Sequence, residues 1–236
     1  LIENETIYIG FYIIHELEQA VAGHILAERC RNGKYRSLND FVKRVQISLV
    51  QLIILIRSGA FRFTAKSKKE LLWDAHYLLG HSKKTVPETT LFETKTREFN
   101  LPELWKHELE DTFDEIELLG FPIRSPFGLL ESALPANLKA SQLPGMVGKT
   151  VEIVGYLVHR KPTRTSNGKI MYFGTWLDVE GEWLDTVHFP DTNNRNPFTG
   201  PGCYLIRGKV VEEYGFYSIE TQWMNRLKYR NLDDLK

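Results

Sequence analysis

The chain has 236 residues, of which 42% are hydrophobic and 12% aromatic, so it can build packed cores and disorder throughout is excluded. Thirty lysines and arginines balance thirty aspartates and glutamates, so net charge alone indicates no polyanionic partner. The distribution is uneven: residues 1–84 carry 13 basic and 8 acidic side chains, residues 85–148 carry 5 and 11, and residues 149–236 carry 12 and 11.

These counts indicate three segments with different roles, although solvated helix faces that differ by chance would give the same counts. The two cysteines, Cys30 and Cys203, have no CxxC neighbour, so neither a disulfide framework nor a zinc site is expected and a reducing cytosol fits. No stretch approaches the roughly 18 apolar residues of a membrane span, and the N-terminus has no signal-peptide pattern. We therefore expect a cytoplasmic chain without a membrane partner. Because the first residue is not methionine, we also expect a piece of a longer protein.

Residues 1–84 have the pattern of a compact helical domain. Residues 7–14 form a short strand or a buried lead-in, and from Leu17 apolar residues recur with helical spacing at Val21 and Ile25. Three serines then stand three residues before a side chain that can return a hydrogen bond, and each precedes an apolar run. These predicted helix starts are Ser37-x-x-Asp40, Ser48-x-x-Gln51 and Ser67-x-x-Glu70.

Residues 85–148 are predicted to be a linker that contains one acidic helix. Periodicity is lost over residues 81–104, where prolines, threonines and charges surround a single apolar pair. A helix resumes around Thr112, the predicted cap, and runs to Leu119, and Gly120 and Pro122 end it. Further prolines punctuate the stretch up to residue 148.

From Lys149 the hydrophobic period changes to two, which is typical of strands. Five strands are predicted in residues 149–230, with a loop over residues 191–202 between the third and the fourth. Five strands with this gap suit a small barrel of the OB type, whereas a sandwich of this size needs about seven strands. The predicted fold is therefore α+β, a helical domain followed by a five-stranded OB-type barrel, with residues 231–236 as a tail.

Several motifs in this order resemble one family. They are Gly168-x-x-Met171-x-Phe173, Leu177-Asp178 with Gly181, Val187-x-Phe189-Pro190, Glu117 to Phe121, Ser37-Leu38-x-Asp40-Phe41 and Ser58 to Phe61. Together they resemble the C-terminal part of the alpha subunit of bacterial DNA polymerase III. The resemblance implies a helix-hairpin-helix region in residues 7–80, a segment entering the barrel at Glu117, and strands two and three of an OB domain at Gly168 to Pro190.

The resemblance implies a parent that is a DNA-directed DNA polymerase, a nucleotidyltransferase whose catalytic carboxylates lie upstream of this segment. The chain itself has no Asp-x-Asp pair to bind two Mg²⁺ ions. Its seven histidines show no metal spacing, and no Ser/His/Asp set or phosphate-binding glycine loop is present. We therefore expect no catalytic residues, metal or cofactor here. A stand-alone enzyme would need a carboxylate or metal cluster that the sequence does not reveal.

The helix-hairpin-helix region would bind DNA phosphates through the backbone N–H groups of a turn that has two glycines. The matching turn, Ile14 to Glu18, has Glu16 and Glu18 where glycines are expected. Two carboxylates would repel phosphate, so a hairpin kept for its packing is favoured. Non-specific phosphate contacts from nearby cations stay open, namely Lys34, Arg36, Lys43 and Arg44.

The barrel is the stronger candidate for binding single-stranded DNA. OB domains bind single strands on the face of strands two and three and through adjoining loops. The predicted first loop spans residues 159–169 and is rich in cations, and aromatic residues lie on the neighbouring strands, although alternation must send some of these inward. In the second loop two tyrosines can stack on bases, whereas Glu212 and Glu213 oppose DNA. The candidates are Arg160, Lys161, Arg164, Asn167, Lys169, Tyr172, Phe173, Trp176, Tyr214 and Tyr217.

The linker holds a protein-binding candidate. Glu88, Leu91 and Phe92 stand where the family carries its sliding-clamp-binding peptide, a Gln-x-x-Leu-Phe-like pattern, and Glu88 departs from the expected glutamine. The alternative is an apolar pair that folds back onto the helices. The expected partners are single-stranded template DNA, the sliding clamp and other replisome subunits, in the bacterial cytoplasm at the nucleoid. The rival hypothesis is a replisome protein-interaction scaffold that does not bind DNA directly.

Overall fold

The computed structural model describes residues 2–3, 6–7, 9–80, 102 and 107–231. The chain forms two compact units, Leu1–Ile123 and Arg124–Lys236. The first is helical and the second is a β-barrel, which confirms the predicted α+β class. The described part of the predicted 85–148 linker is divided between the two units, and residues 232–236 of the tail lie outside the described residues.

The helical unit begins with a two-stranded ladder in which Ile2 pairs with Ile7. Short 3-10 helices at Phe11–Ile13 and Arg62–Thr64 connect the longer elements. The strands and helices of this unit are β1 (Ile2–Glu3), β2 (Thr6–Ile7), α1 (Gln19–Asn32), α2 (Leu38–Arg44), α3 (Leu49–Arg57), α4 (Lys68–Leu79) and α5 (Leu109–Leu119).

The three predicted serine caps are confirmed. The Oγ atoms of Ser37, Ser48 and Ser67 accept hydrogen bonds from backbone N–H groups at the first turns of α2, α3 and α4. At α4 the carboxylate of Glu70 also accepts the N–H of Ser67, which completes a reciprocal capping box. Each cap satisfies a backbone donor that the helix leaves unpaired, so local chemistry determines where these helices begin.

The apolar faces of α1 to α4 meet in one core. Phe41 lies at its centre, with ring centroids 4.8 Å from Tyr35 and 4.9 Å from Phe61 in edge-on contacts. The buried members are Ile25, Leu38, Phe41, Val45, Leu52, Leu55, Ile56, Phe61, Leu71 and Ala75.

The acidic helix α5 differs from its prediction at one end. It begins at Leu109, and Thr112 is buried within it, so the predicted cap at Thr112 is wrong. A serine or threonine three residues before a glutamate caps a helix only if the helix does not extend further toward the N-terminus. Here the three residues before Thr112 are already helical, so Thr112 cannot be the cap. The helix ends as predicted at Gly120, whose φ of 80° is the left-handed conformation that glycine favours at helix ends.

The second unit is a closed five-stranded barrel. Its strands follow the order β3-β4-β5-β7-β6, and β6 pairs with β3 to close it. All neighbours are antiparallel except β5 and β7, which run parallel. This Greek-key barrel is of the OB type, as predicted. The strands are β3 (Thr150–Arg164), β4 (Ile170–Leu177), β5 (Trp183–His188), β6 (Cys203–Glu213) and β7 (Phe216–Arg226), with a short helix α6 (Pro190–Arg195) between β5 and β6.

The barrel interior is filled by side chains, and segments outside the strands supply part of the filling. Leu143, from the 3-10 helix Ala140–Met146, and Phe198, from the loop after α6, are both buried in the same core. The buried core consists of Leu143, Ile153, Leu157, Trp176, Leu184, Phe198, Tyr204, Ile206, Val210, Ile219 and Met224.

A smaller apolar cluster covers one outer surface of the barrel. Tyr156 of β3 and Cys203 of β6 are buried under Leu130, which bridges to Tyr229 at the end of the chain. Burial raises the pKa of Cys203 to about 11, so its thiol stays protonated at neutral pH. The irregular segment from residue 124 onward is therefore part of the barrel unit.

The Leu177-Asp178 motif of the family resemblance has a structural reason. Asp178 is buried, and its carboxylate accepts the backbone N–H groups of Ala140, Glu180 and Glu182. One side chain therefore closes the turn between β4 and β5 and also fixes the start of the 3-10 helix that holds Leu143.

Candidate nucleic-acid interface

The cation-rich segment between β3 and β4 is a hairpin rather than a loop. β3 continues to Arg164, so the predicted loop over residues 159–169 is strand for most of its length. The turn itself is short, with the N–H of Thr165 donating to the carbonyl of Lys169 and Gly168 at a φ of 74°. Asn167 lies in this turn. The composition of residues 159–169 is typical of a loop, but residues 159–164 are strand because they pair with β4.

The alternation of β3 places the cations of this hairpin on two opposite faces. Lys161 pairs in register with Phe173, whereas Arg160 and Arg164 point to the face that carries Tyr172. Lys169 belongs to the turn. Cations are therefore available to a ligand on either side of the hairpin.

Arg160 has a packing role in addition to its charge. Its guanidinium carbon lies 5.8 Å from the ring centroid of Tyr172 and 5.7 Å from that of Phe198. Phe198 is buried in the barrel core. The guanidinium thus makes cation–π contacts with the aromatic filling of the barrel, and its removal would disturb packing as well as charge.

The outer face of β4 and β5 is open. Phe173 is 45% exposed and Trp183 is 63% exposed, and both lie on this face because their strand neighbours Gly174 and Leu184 are buried. Between them, Thr175 donates a hydrogen bond of 3.0 Å to Asp185. OB domains bind ligands on this face of strands two and three.

Trp176 does not belong to this surface, which corrects its prediction as a stacking residue. It is 0% exposed, its Nε1 donates to Thr186 Oγ1 at 2.7 Å, and its ring packs on Phe198 and Tyr204. A base cannot reach the ring. Tyr172 is half-buried against Phe198, with Arg160 over its ring, so little of its face is free for stacking.

His188 is also in the barrel interior. It is fully buried, its Nε2 lies 2.8 Å from Thr186 Oγ1, and its Nδ1 has no hydrogen-bond partner among the described residues. Burial lowers its pKa to about 4, so the imidazole is neutral at physiological pH. His188 therefore packs in the barrel interior, where a bound ligand cannot contact it.

The tip of the β6–β7 hairpin exposes more aromatic surface than predicted. Tyr214 is 98% exposed and has a φ of 52°, and Tyr217 is also exposed. Phe216, 79% exposed, and Trp183 were not among the predicted residues. Phe216 lies three positions from buried Ile219, and Trp183 lies one position from buried Leu184. Because side chains alternate along a strand, both residues are expected to point outward.

The helical hairpin turn keeps the backbone geometry of a glycine turn without glycines. Glu16 has a φ of 62°, in the left-handed region. The Gln51 side chain accepts the N–H of Glu18 at 2.8 Å and donates to the carbonyl of Glu16 at 2.9 Å, and the N–H of His15 donates to the carbonyl of Leu118. These backbone donors have partners within the unit, which favours the packing role over phosphate binding.

Three cations of the helical unit, Arg57, Lys68 and Lys69, form ion pairs with α5. Arg57 and Lys68 both pair with Asp114, and Lys69 pairs with Glu110 at 2.9 Å. Hydrogen bonding to Glu117, more than to Asp114, raises the pKa of Arg57. The acidic helix therefore covers the cations of α3 and α4.

Among the other cations of this unit, Arg44 is also engaged. It pairs with Glu28 at 3.0 Å and Asp40 at 3.2 Å and lies 4.4 Å from the ring centroid of Tyr35. It therefore holds α1 and α2 together, and a phosphate would have to compete with these contacts.

The predicted clamp-binding residues Glu88, Leu91 and Phe92 lie outside the described residues. Within the described part of the chain, no group of three or more His, Cys, Asp and Glu side chains has the geometry to hold a metal ion. No described helix is long and apolar enough to cross a membrane.

Comparison with known proteins gives matches to both halves of the chain. A helix-hairpin-helix motif matches residues 1–71. The error-prone DNA polymerase of Mycobacterium tuberculosis (strain H37Rv) is 28% identical over 229 residues, which are 93% of this chain and 20% of that protein. DNA polymerase III subunit alpha of Borreliella burgdorferi is 26% identical over 234 residues, 91% of this chain and 20% of that protein.

The corresponding subunit of Aquifex aeolicus is 28% identical over 219 residues, 90% of this chain and 17% of that protein. A solved structure of a putative nucleic acid-binding lipoprotein from Klebsiella pneumoniae matches 38% of this chain and 78% of that one, with a TM-score of 0.30 and 17% identity. This chain spans about a fifth of the length of the curated polymerases it matches. The resemblance that the motifs indicated is confirmed: residues 1–71 match a helix-hairpin-helix motif, and about nine-tenths of the chain is similar to a fifth or less of the length of bacterial DNA polymerase III alpha subunits and error-prone DNA polymerases.

Proposed function

We propose that this chain is a non-catalytic C-terminal segment of a replicative bacterial DNA polymerase. In this proposal the barrel binds single-stranded template DNA and the segment around Leu91 and Phe92 contacts the sliding clamp. Its support is kinship to DNA polymerases over one fifth of their length, together with a fold that suits nucleic acid. The same kinship supports a place in the bacterial cytoplasm, at the nucleoid, among other replisome subunits.

One observation carries the DNA-binding proposal: the open face of β4 and β5 continues into the cationic hairpin. Phe173 is exposed directly opposite Lys161. A base stacked on Phe173 would leave its phosphate within reach of the ammonium group. Lys169 lies further along in the turn, and Arg164 adds positive charge from the opposite face of the hairpin. These contacts read no base edge, so the expected binding is weak and independent of sequence.

Replacing Lys161, Arg164 and Lys169 together by alanine should lower the affinity for a fluorescein-labelled dT oligonucleotide at least about tenfold at low salt. Arg160 is left in place because it packs on Tyr172 and Phe198. The slope of log affinity against log salt should fall by about 2, because single strands lose roughly 0.7 per phosphate contact. Fluorescence anisotropy over a salt series measures both quantities.

The matched control removes the same charge elsewhere, by alanine at Lys149, Lys209 and Lys228. These lysines are exposed and lie outside the hairpin. The control variant should keep most of the wild-type affinity. Equal loss in both variants would mean that binding follows net charge only, and the hairpin would not be the DNA site.

The clamp contact has its own test. Alanine at both Leu91 and Phe92 should reduce binding of the full chain to a purified bacterial sliding clamp at least about tenfold, because two apolar side chains supply the anchors of such a peptide. Surface plasmon resonance with immobilised clamp measures the change. The same variant should bind dT normally, and unchanged clamp binding would refute the contact.

The rival is a replisome scaffold that never contacts DNA. Its support is the network of ion pairs between α5 and the helices α3 and α4, in which Arg57, Lys68 and Lys69 are already paired with carboxylates. Absence of dT binding at 50 mM salt, together with retained clamp binding, would favour this rival.

A further inference from the structure

The outer surface of β5 and β7 presents an apolar face at the ends where both strands begin. Asp185 pairs with Ser218 in the parallel ladder, so Trp183 and Phe216, two residues earlier on each strand, occupy neighbouring outward positions. Adjacent strands lie about 4.8 Å apart, so the two exposed side chains project from neighbouring strands on the same outer surface. Tyr214 stands at the adjoining hairpin tip, 98% exposed. We call Trp183, Tyr214 and Phe216 the aromatic face.

A face of this kind indicates a partner. Large side chains that are 63%, 98% and 79% exposed leave most of their apolar area in water. Isolated exposed aromatics are ordinary, but contiguous ones mark interaction sites on soluble proteins. The described residues supply nothing that covers the three rings.

The charges around the aromatic face select the class of partner. Residues 178–187 and 211–220 contain carboxylates but no lysine or arginine. Among the described residues, no ion pair involves Glu182, Glu212 or Glu213. The ion pair between Glu180 and Lys139 is the only one between described residues that involves a carboxylate of these two ranges.

This end of the barrel is the electrostatic opposite of the cationic hairpin. The turns before β5 and β7 lie at one end of β4, and the hairpin turn lies at the other, roughly 23 Å away for eight strand residues. Residues 159–169 hold four cations and no carboxylate. Phosphates are therefore attracted to the hairpin and repelled from the aromatic face.

We propose that the aromatic face docks an arginine-bearing segment of a partner protein. Guanidinium groups stack on tryptophan and tyrosine rings and form two-pronged hydrogen bonds with carboxylates, and both kinds of group are present together here. The docking uses Trp183, at the end of the open β4–β5 face away from the hairpin, and does not require the DNA contacts proposed at Phe173 and Lys161. It also reassigns Tyr214, predicted from sequence as a base-stacking residue, to protein contact.

The test uses the full chain and a labelled peptide of alternating arginine, alanine and leucine, beside the same peptide with lysine for arginine. The arginine peptide should bind about fivefold more tightly than the lysine peptide, because an ammonium group stacks less well and cannot form the paired hydrogen bonds. Trp183→Ala with Phe216→Ala should weaken arginine-peptide binding about tenfold and abolish that preference.

Two further variants complete the design. Phe173→Ala, an exposed aromatic control in the middle of β4 and four residues away from the position paired with Trp183, should leave peptide binding unchanged. Glu182→Gln with Glu213→Gln keeps the rings and should weaken both peptides severalfold. Because Glu182 lies in the turn before β5, Glu213 is the last residue of β6 and both are exposed, this pair keeps the proposal testable if the aromatic variant is unstable.

Three results would overturn the proposal. Wild-type peptide affinity in the Trp183 and Phe216 double variant would remove the aromatic face from the contact. A loss of dT affinity in that variant would make the face a DNA platform instead. Sedimentation that shows dimers of the wild-type chain, dissociated by the same variant, would make a second copy of the chain the occupant. Loss of dT binding in the hairpin variant reports on the DNA proposal alone.

Discussion

Replacing Gly208 by alanine should destabilise the barrel by at least about 3 kcal/mol. Gly208 lies at a register shift between β6 and β7. A Cβ atom there would lie 2.2 Å from the backbone carbonyl oxygen of Glu220 and 2.6 Å from a methyl group of Ile219. The carbonyl oxygen of Glu220 can move away only if hydrogen bonds between β6 and β7 break, so the substitution must disrupt the pairing of these two strands.

Urea denaturation measures this loss. Replacing Trp73 and Trp105 by phenylalanine leaves tryptophan fluorescence from the barrel alone, through Trp176, Trp183 and Trp223. The matched control is Gly145→Ala, where a Cβ atom meets nothing within 4 Å. Its unfolding midpoint should stay close to that of the parent. A Gly208 variant as stable as the control would show that the bulge relaxes freely.

The barrel should also lose stability as the pH falls from about 6.5 to about 4, because of His188. Burial holds its pKa near 4 in the folded barrel, against 6.5 in the unfolded chain. Between these values the unfolded chain binds the additional proton, so lowering the pH favours unfolding. The contribution reaches about 3 kcal/mol near pH 4, which is a large share of the stability of an ordinary domain.

The same fluorescence assay across pH 4 to 7.5 tests this expectation. His188→Gln should be less stable at neutral pH but should have a flatter dependence on pH. His159→Gln, a change on an exposed histidine of β3, should keep the parent's dependence. Parallel curves for the parent and His188→Gln would mean that other groups cause the acid sensitivity.

The features predicted correctly from sequence depend on neighbouring residues. At Ser37, Ser48 and Ser67 the serine hydroxyl accepts the backbone N–H group three residues later, and β4 and β5 follow from a period of two. Helix caps and strand periods of this kind can be predicted from one sequence, because they depend on residues close together in the chain.

The errors concern contacts between distant residues. Residues 160–164 have the composition of a loop, and they become strand only because β4 pairs with them. Strand alternation puts Phe173 and Trp176 on opposite faces of β4. With three aromatic residues within residues 172–176, the sequence does not show which of the two faces points into the barrel. The pairing of Arg57 with Asp114 joins residues that no local pattern relates.

The closure of the barrel by β3 and β6 has a consequence for how the chain acquires its structure during synthesis. Thr150 pairs with Lys209, so β3 must wait for β4, β5 and the following loop before its second partner exists. Contacts so distant along the chain form slowly, whereas the helices of the first unit meet near neighbours. On the ribosome the helical core can therefore be complete while β3, β4 and β5 form a meander with two unpaired edges. Emergence of β6 from the exit tunnel covers the edge of β3, and emergence of β7 then covers the edge of β5.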